Sequence, residues 1–257
     1  MDQNTAMEGA TSRWPQRLWV IRHGQSAGNV ARDYAEENAI TLIELEHRDA
    51  DVPLSELGER QSAALAAWVS GLPDPERPDV VLASPYRRAR QTAEAVAAAL
   101  GQPASSLVID ERLREKEFGV LDRYTSSGIV STFPELAAQR KLVGKFYFRP
   151  PGGESWCDVI LRLRGVVGDL QRNHVGSRVV IVAHQVIVNC MRYLLEGLDE
   201  RTILDIDRES DVPNCGVVEY AVQPGQTGLS LVRANFVSPE LAEHPQTGAS
   251  DVPAGAR

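Results

Sequence analysis

Cysteine is scarce: Cys157, Cys190 and Cys215 are the only three in 257 residues, an odd number at wide spacing. They form no CxxC pair of the kind that builds a zinc site, and they are too few to staple a small secreted fold. A reducing compartment is the expectation. Long apolar runs are missing too. No stretch approaches the ~20 apolar residues of a membrane-spanning helix, and the opening MDQNTAMEGATSRWPQ lacks the apolar segment of a signal peptide. The expected location is the cytoplasm, with no membrane partner. An excess of positive charge is also absent. With 27 Lys and Arg against 35 Asp and Glu, the formal net charge is -8, which offers no broad basic field to a nucleic acid or an anionic surface. Apolar residues are plentiful, at 43%, and a chain of this length can build a sizeable core from them.

Residues 1–15 and 238–257 are rich in Gly, Ala, Pro, Ser, Asp and Glu without apolar periodicity, so they read as mobile ends around one domain at 16–237. Inside it, the runs 18–21, 80–83 and 179–183 are apolar and partly β-branched with no polar alternation. Strands buried on both faces have that pattern. Helical patterns follow: 55–70, opened by Ser55; 87–100, Ala-rich and stopped by Gly101; and 186–195, ended near Gly197. A helix at 155–173 and strands at 216–222 and 229–235 complete the set. The alternation predicts an α/β fold, a three-layer sandwich with a mainly parallel central sheet flanked by helices. Two less patterned stretches, 31–52 and 120–149, are expected to arch over a site.

Candidate chemistry gathers where the strands end. LWVIRHGQSAGN at 18–29 ends a buried strand in Arg22, His23 and Gly24, and ligands of parallel α/β sheets bind at that carboxyl end. Arg22 offers a fork of donors for phosphate oxygens, His23 a nitrogen nucleophile, Gly24 room for close approach and Asn29 a neutral donor. Taken alone, Arg-His-Gly reads equally well as an ion-pairing turn. SPYRRARQT at 84–92 follows a strand and opens a helix, whose exposed N–H groups attract anions. Arg87, Arg88 and Arg90 read either as a solvated face or, for one of them, as a second cationic clamp. VVIVAH at 179–184 delivers another histidine, His184, from a strand end. A lone histidine there is ordinarily structural, but two in the same topological position point to one site.

These segments, in this order, resemble the histidine phosphatase superfamily, also called phosphoglycerate mutase-like and named for its RHG motif. The resemblance continues in PLSELGERQ at 53–61, similar to the family's PLSxxGxxQ element, and in LREKEFG at 113–119, similar to its LxExxxG element. PGGES at 151–155 and PNCG at 213–216 extend it. The resemblance implies a phosphoglycerate mutase-like fold in which His23 takes the phosphoryl group, Arg22, Arg88 and His184 surround its oxygens, and Asn29 adds a hydrogen bond. Neither a metal nor a cofactor is implied. Chemical need agrees, since the charge on those oxygens must be met by fixed donors. Glu115 matches the family's general acid, protonating the leaving alkoxide and then acting as base toward water; burial beside the phosphate would keep its proton near neutral pH. Glu117, two residues on, is its rival. Glu154 and Ser155 read as supporting residues at a helix start.

Departures from the pattern shape the expectation further. His184-Gln185 resembles the fructose-2,6-bisphosphatase branch, where many members have glycine after the histidine; it adds Gln185 to the substrate contacts and hints at a sugar phosphate. The Asn-Leu-Phe-Thr-Gly-Trp stretch of cofactor-dependent phosphoglycerate mutases is absent, with VARDYA at 30–35 in its place. The Glu-Gly that often follows the LxExxxG element is absent as well, which leaves the shape of the lid open. The expected activity is hydrolysis of a small phosphomonoester through a phosphohistidine on His23. A cofactor-dependent phosphoglycerate mutase and a catalytically silent phosphate-binding module are the alternatives. The expected partner is a small phosphorylated metabolite, and base rates of assembly favour a homodimer. Arg32, Tyr34, Lys145, Tyr147 and Arg149 are candidates for a second anionic group.

Overall fold

The computed structural model describes residues 12–242. In chain order the regular elements are β1 (Arg17–Arg22), α1 (Ala27–Glu37), α2 (Glu56–Ser70), β2 (Val80–Ala83), α3 (Arg87–Ala99), β3 (Val108–Ile109), α4 (Ser126–Thr132) and α5 (Pro134–Val143). There follow α6 (Trp156–Asn173), β4 (Arg178–Ala183), α7 (Gln185–Glu196), α8 (Glu200–Glu209), β5 (Val217–Val222), β6 (Leu229–Phe236) and α9 (Pro239–Ala242). The strands form one six-stranded sheet in the order β3-β2-β4-β1-β5-β6. β3, β2, β4 and β1 pair in parallel, and β5 runs antiparallel to both of its neighbours, β1 and β6.

The unalternated runs occupy the middle of this sheet because both of its faces are covered. Along β1, Leu18 and Val20 join a core with α6 and α7, while Trp19 and Ile21 join a second core with α2 and α3. β4 divides in the same way, Val179 and Ile181 to one side and Val180 and Val182 to the other. The three-layer α/β sandwich expected from the alternation is the observed fold.

Three details differ from the sequence reading. The stretch 31–52 begins inside α1, whose start is fixed by a capping box in which Ser26 and Asn29 exchange side-chain and backbone hydrogen bonds; a polar helix burying only Ala35 leaves no apolar stripe to notice. The stretch 120–149 carries α4 and α5 around a small core of its own, Leu121, Ile129 and Phe148. The expected domain limit at 237 falls short, because α9 places Leu241, fully buried, in the core beside α2. The rest of the two expected tails, 1–11 and 243–257, lies outside the described residues. Among the described residues no helix is long and apolar enough to cross a membrane.

Candidate active site

β2, β4 and β1 are adjacent and parallel, with Arg22 in register with Ala183 and Ala83 with Val182. The residues just beyond them, Ser84, His184 and His23, therefore stand side by side at one edge of the sheet. Backbone bonds continue the ladder there, from His23 N to Ala183 O (3.0 Å) and from Ser84 N to Val182 O (3.0 Å). Antiparallel β5 brings the 213–216 turn to the same edge, where Cys215 N donates to His23 O (3.3 Å).

The proton position on His23 follows from its neighbours. Nδ1 lies 2.6 Å from Gly24 O, and a carbonyl only accepts, so Nδ1 carries the hydrogen and Nε2 keeps its lone pair. Arg88 Nε donates to that lone pair at 3.2 Å. Burial, and after it the nearby Arg88 and Arg22, hold the His23 pKa well below the ordinary 6.5, so the ring is neutral and nucleophilic at neutral pH. Beneath it, the PLSxxGxxQ-like element supports the loop. Gln25 N donates to Gln61 Oε1 (2.8 Å), Ser55 Oγ donates to Gln25 Oε1 (2.6 Å), and Gly24 N donates to Thr92 Oγ1 (3.1 Å).

Of the three arginines at the start of α3, Arg88 is buried at the site, and Arg87 and Arg90 are exposed. Arg88 is fully engaged. Besides His23, its Nη1 donates to Asp49 O (2.6 Å) and pairs with Asp49 Oδ1 (3.0 Å), and its Nη2 donates to Asp49 Oδ2 (3.2 Å). Asp49 belongs to the first excursion, and nothing in its polar surroundings marked it in sequence. Arg22 is 1% exposed and donates through Nη1 to Val212 O (2.5 Å). Burial lowers its pKa to about 10, opposed by Asp211 and Glu115, so it remains a cation. Asn29 Oδ1 accepts from Ser26 N (2.9 Å), which leaves its Nδ2 as the group it can present to an anion.

His184 is fully buried, its ring edge-on to His23 with centroids 5.1 Å apart. Gln185, the first residue of α7, donates from Nε2 to Asp211 Oδ1 (2.8 Å). A cavity of about 730 Å³, mouth included, opens over these residues. Arg22, His23, Asn29, Arg88, Glu115 and Gln185 line it; His184 is not among the lining residues, though its buried ring packs against that of His23. Glu117 is exposed and accepts from Tyr86 Oη (3.1 Å). The outer wall comes from both excursions, Arg32, Ile43, Leu45 and Asp49 from one and Asp122 and Arg123 from the other, with Phe118 just ahead of the second. They interlock, since Arg123 donates to Leu45 O (3.0 Å) and His47 O (2.8 Å), and Ile43 N donates to Arg123 O (2.7 Å). Of the candidates for a second anion contact, Arg32 alone lines the cavity. Lys145 and Arg149 are paired with Asp207 and Asp158.

Glu115 is held from below. Arg162 of α6 donates to Glu115 O (3.2 Å) and to Glu154 Oε1 (3.0 Å), and Glu154 N donates to Glu117 O (2.9 Å). Burial works to raise the Glu154 pKa, but Arg162 and Arg114 outweigh it and keep the carboxylate ionised. The PGGES turn thus buttresses the LxExxxG-like segment, and Ser155 caps α6. Arg162, an unremarkable cation within a helix, is a support that sequence reasoning missed.

A family model described as histidine phosphatase superfamily (branch 1) matches residues 18–235. The chain belongs to that superfamily. Among similar proteins is a probable phosphoglycerate mutase GpmB of Photorhabdus laumondii, 28% identical over 210 residues, covering 81% of this chain and 86% of that one. A 6-phosphofructo-2-kinase/fructose-2,6-bisphosphatase of Caenorhabditis elegans is 30% identical over 199 residues, 76% of this chain but 38% of that longer protein. The fold is shared with a mycobacterial glucosyl-3-phosphoglycerate phosphatase, at a TM-score of 0.65 and 23% identity, covering 87% of this chain and 100% of that one. The superfamily holds phosphatases and mutases alike, and the matched span includes Arg22, His23 and Gly24.

Proposed function

We propose that this chain is a phosphatase that hydrolyses a small phosphomonoester through a phosphohistidine on His23. The observation that carries the reading is the His23 ring, whose Nδ1–H is bound to Gly24 O and whose Nε2 lone pair meets the Arg88 guanidinium beside the cavity. In the first step Nε2 attacks phosphorus and the ester P–O bond breaks, with Glu115 giving its proton to the departing alkoxide. In the second, water attacks phosphorus, Glu115 takes the water's proton, the P–N bond breaks, and inorganic phosphate leaves. Arg22, Arg88, Asn29 Nδ2 and His184 meet the oxygen charge in both steps, and a phosphoryl group at Arg88 takes the place of the Asp49 carboxylate. Phosphatase structures among the fold neighbours, and the absence of the mutase stretch after Asn29, support hydrolysis over transfer back to substrate. The free cysteines support a cytoplasmic setting.

The test is phosphate release from p-nitrophenyl phosphate and from a panel of sugar phosphates and phosphoglycerates, with wild type, with His23→Ala and in EDTA. Release that survives EDTA and disappears in His23→Ala is expected. Conversion of 3-phosphoglycerate to 2-phosphoglycerate without phosphate release would replace hydrolysis by the mutase reaction, and neither reaction on any substrate would leave a binding module.

A further inference from the structure

The hydrogen atoms around His184 can be accounted for completely. Its Nε2 lies 2.8 Å from Ser84 Oγ. Ser84 is fully buried, and its hydroxyl already accepts from Tyr86 N at 3.3 Å. Those are the two partners of the hydroxyl oxygen among the described residues, so the Ser84 proton has a single acceptor to go to, His184 Nε2. The reverse arrangement, Nε2–H donating to Ser84, would strand a buried hydroxyl proton, and an unmade buried hydrogen bond is costly. If Nε2 accepts, a neutral His184 must carry its proton on Nδ1. That Nδ1 is buried and has no hydrogen-bond partner in the protein. It belongs to a ring standing edge-on to the His23 nucleophile. Burial, then Arg88 and His23, depress the His184 pKa well below 6.5, so a second proton is not at hand to make both nitrogens donors.

We propose that Ser84 is a positioning residue that holds His184 in the Nδ1–H tautomer, so that this neutral histidine donates a hydrogen bond to an oxygen of the phosphoryl group on or approaching His23. The inference rests on the phosphohistidine reading for the identity of the anion. A neutral donor suits the place, because Arg22 and Arg88 already supply cations, and a third beside them would pull charge from the nucleophile. Ser84 directly follows β2 and His184 directly follows β4, so the register of two neighbouring strands brings the pair together.

The experiment is nitrogen NMR of histidine-labelled full-length protein, with His184 assigned against His184→Gln, together with titration by inorganic phosphate. In wild type the His184 signals should be those of a ring protonated at Nδ1, in the free protein and with phosphate bound. Ser84→Ala should lose that single tautomer and bind phosphate ~10-fold to 100-fold more weakly, and Ser84→Thr, which keeps the hydroxyl, should recover both. A wild-type ring protonated at Nε2 overturns the proposal without any variant, so a misfolded Ser84→Ala does not shield it. Unchanged phosphate affinity in a folded Ser84→Ala overturns it too. Neither readout needs turnover. Hydrolysis that persists in His23→Ala defeats the phosphohistidine reading instead, and the two failures are told apart.

Discussion

Two carboxylates sit two residues apart on the segment after Leu113, and Glu115 faces the cavity while Glu117 is exposed and bonded to Tyr86. An acid that protonates the leaving group matters in proportion to how poor that group is. Glu115→Gln should therefore lower kcat on an alkyl phosphate roughly 100-fold or more, yet slow phosphoryl transfer from p-nitrophenyl phosphate far less, since p-nitrophenolate leaves as a stable anion. Single-turnover rates on the two substrates give the comparison, and equal losses would take the acid role away from Glu115. At this scale the strand-end residues were legible, because Arg22, His23 and His184 stand at the ends of unmistakable apolar runs. From the residues alone Arg88 was one of three arginines and the family resemblance singled it out; α3 buries it and leaves Arg87 and Arg90 exposed. Asp49 was not legible. A carboxylate in a polar stretch has no periodicity to betray it, and its partner lies 39 residues away. Ser84 was visible as a letter in a segment, but its part depends on a proton count that only the folded neighbours permit.

The contact between the His23 loop and α2 is a matter of backbone meeting backbone. A Cβ on Gly58 would stand 1.9 Å from Gln25 O, and one on Gly24 would stand 2.6 Å from Gly58 O. Neither obstacle is a side chain that can swing aside. Gly58→Ala should destabilise the fold by on the order of 1–3 kcal/mol and displace the loop that carries the nucleophile. Gly228→Ala, where an added Cβ meets nothing within 4 Å, is the control. Denaturant midpoints and activity at saturating substrate check both, and equal behaviour of the two variants would mean that the close approach is not needed. Elements whose apolar face meets the sheet were readable in advance, as α2, α3, α6 and α7 were. Those that serve the lid were not, because α1 buries only Ala35 and the apolar residues of α4 and α5 face a small core of their own. A cap offered the one available sign, the Ser26 and Asn29 spacing at the start of α1.

Across the whole molecule, the site makes a demand on the fold that pH exposes. His23 and His184 are buried with folded-state pKa values well below 6.5, chiefly through loss of hydration and then through the arginines, with His23 adding to the effect on His184. Above about pH 6.5 both rings are neutral whether the chain is folded or not. Below it the unfolded chain takes up protons that the folded chain refuses, so stability falls with falling pH until the depressed values are reached. The slope approaches about 1.4 kcal/mol per pH unit for each histidine. Urea unfolding between pH 7 and pH 5 should be less steeply pH-dependent in His184→Gln than in wild type, and identical slopes would assign the acid lability to other groups. The sheet order itself was not written in the sequence: alternation implies parallel strands, but which strands neighbour one another follows from crossovers that pack helices on both faces. That order puts His23, Ser84 and His184 together. The excursions then close over them, and Asp49 reaches Arg88 across the gap. The resting pocket is accordingly self-liganded. At Arg88 an arriving anion would trade places with an internal one, so that arginine's share of the dissociation constant would be an exchange between two ion pairs.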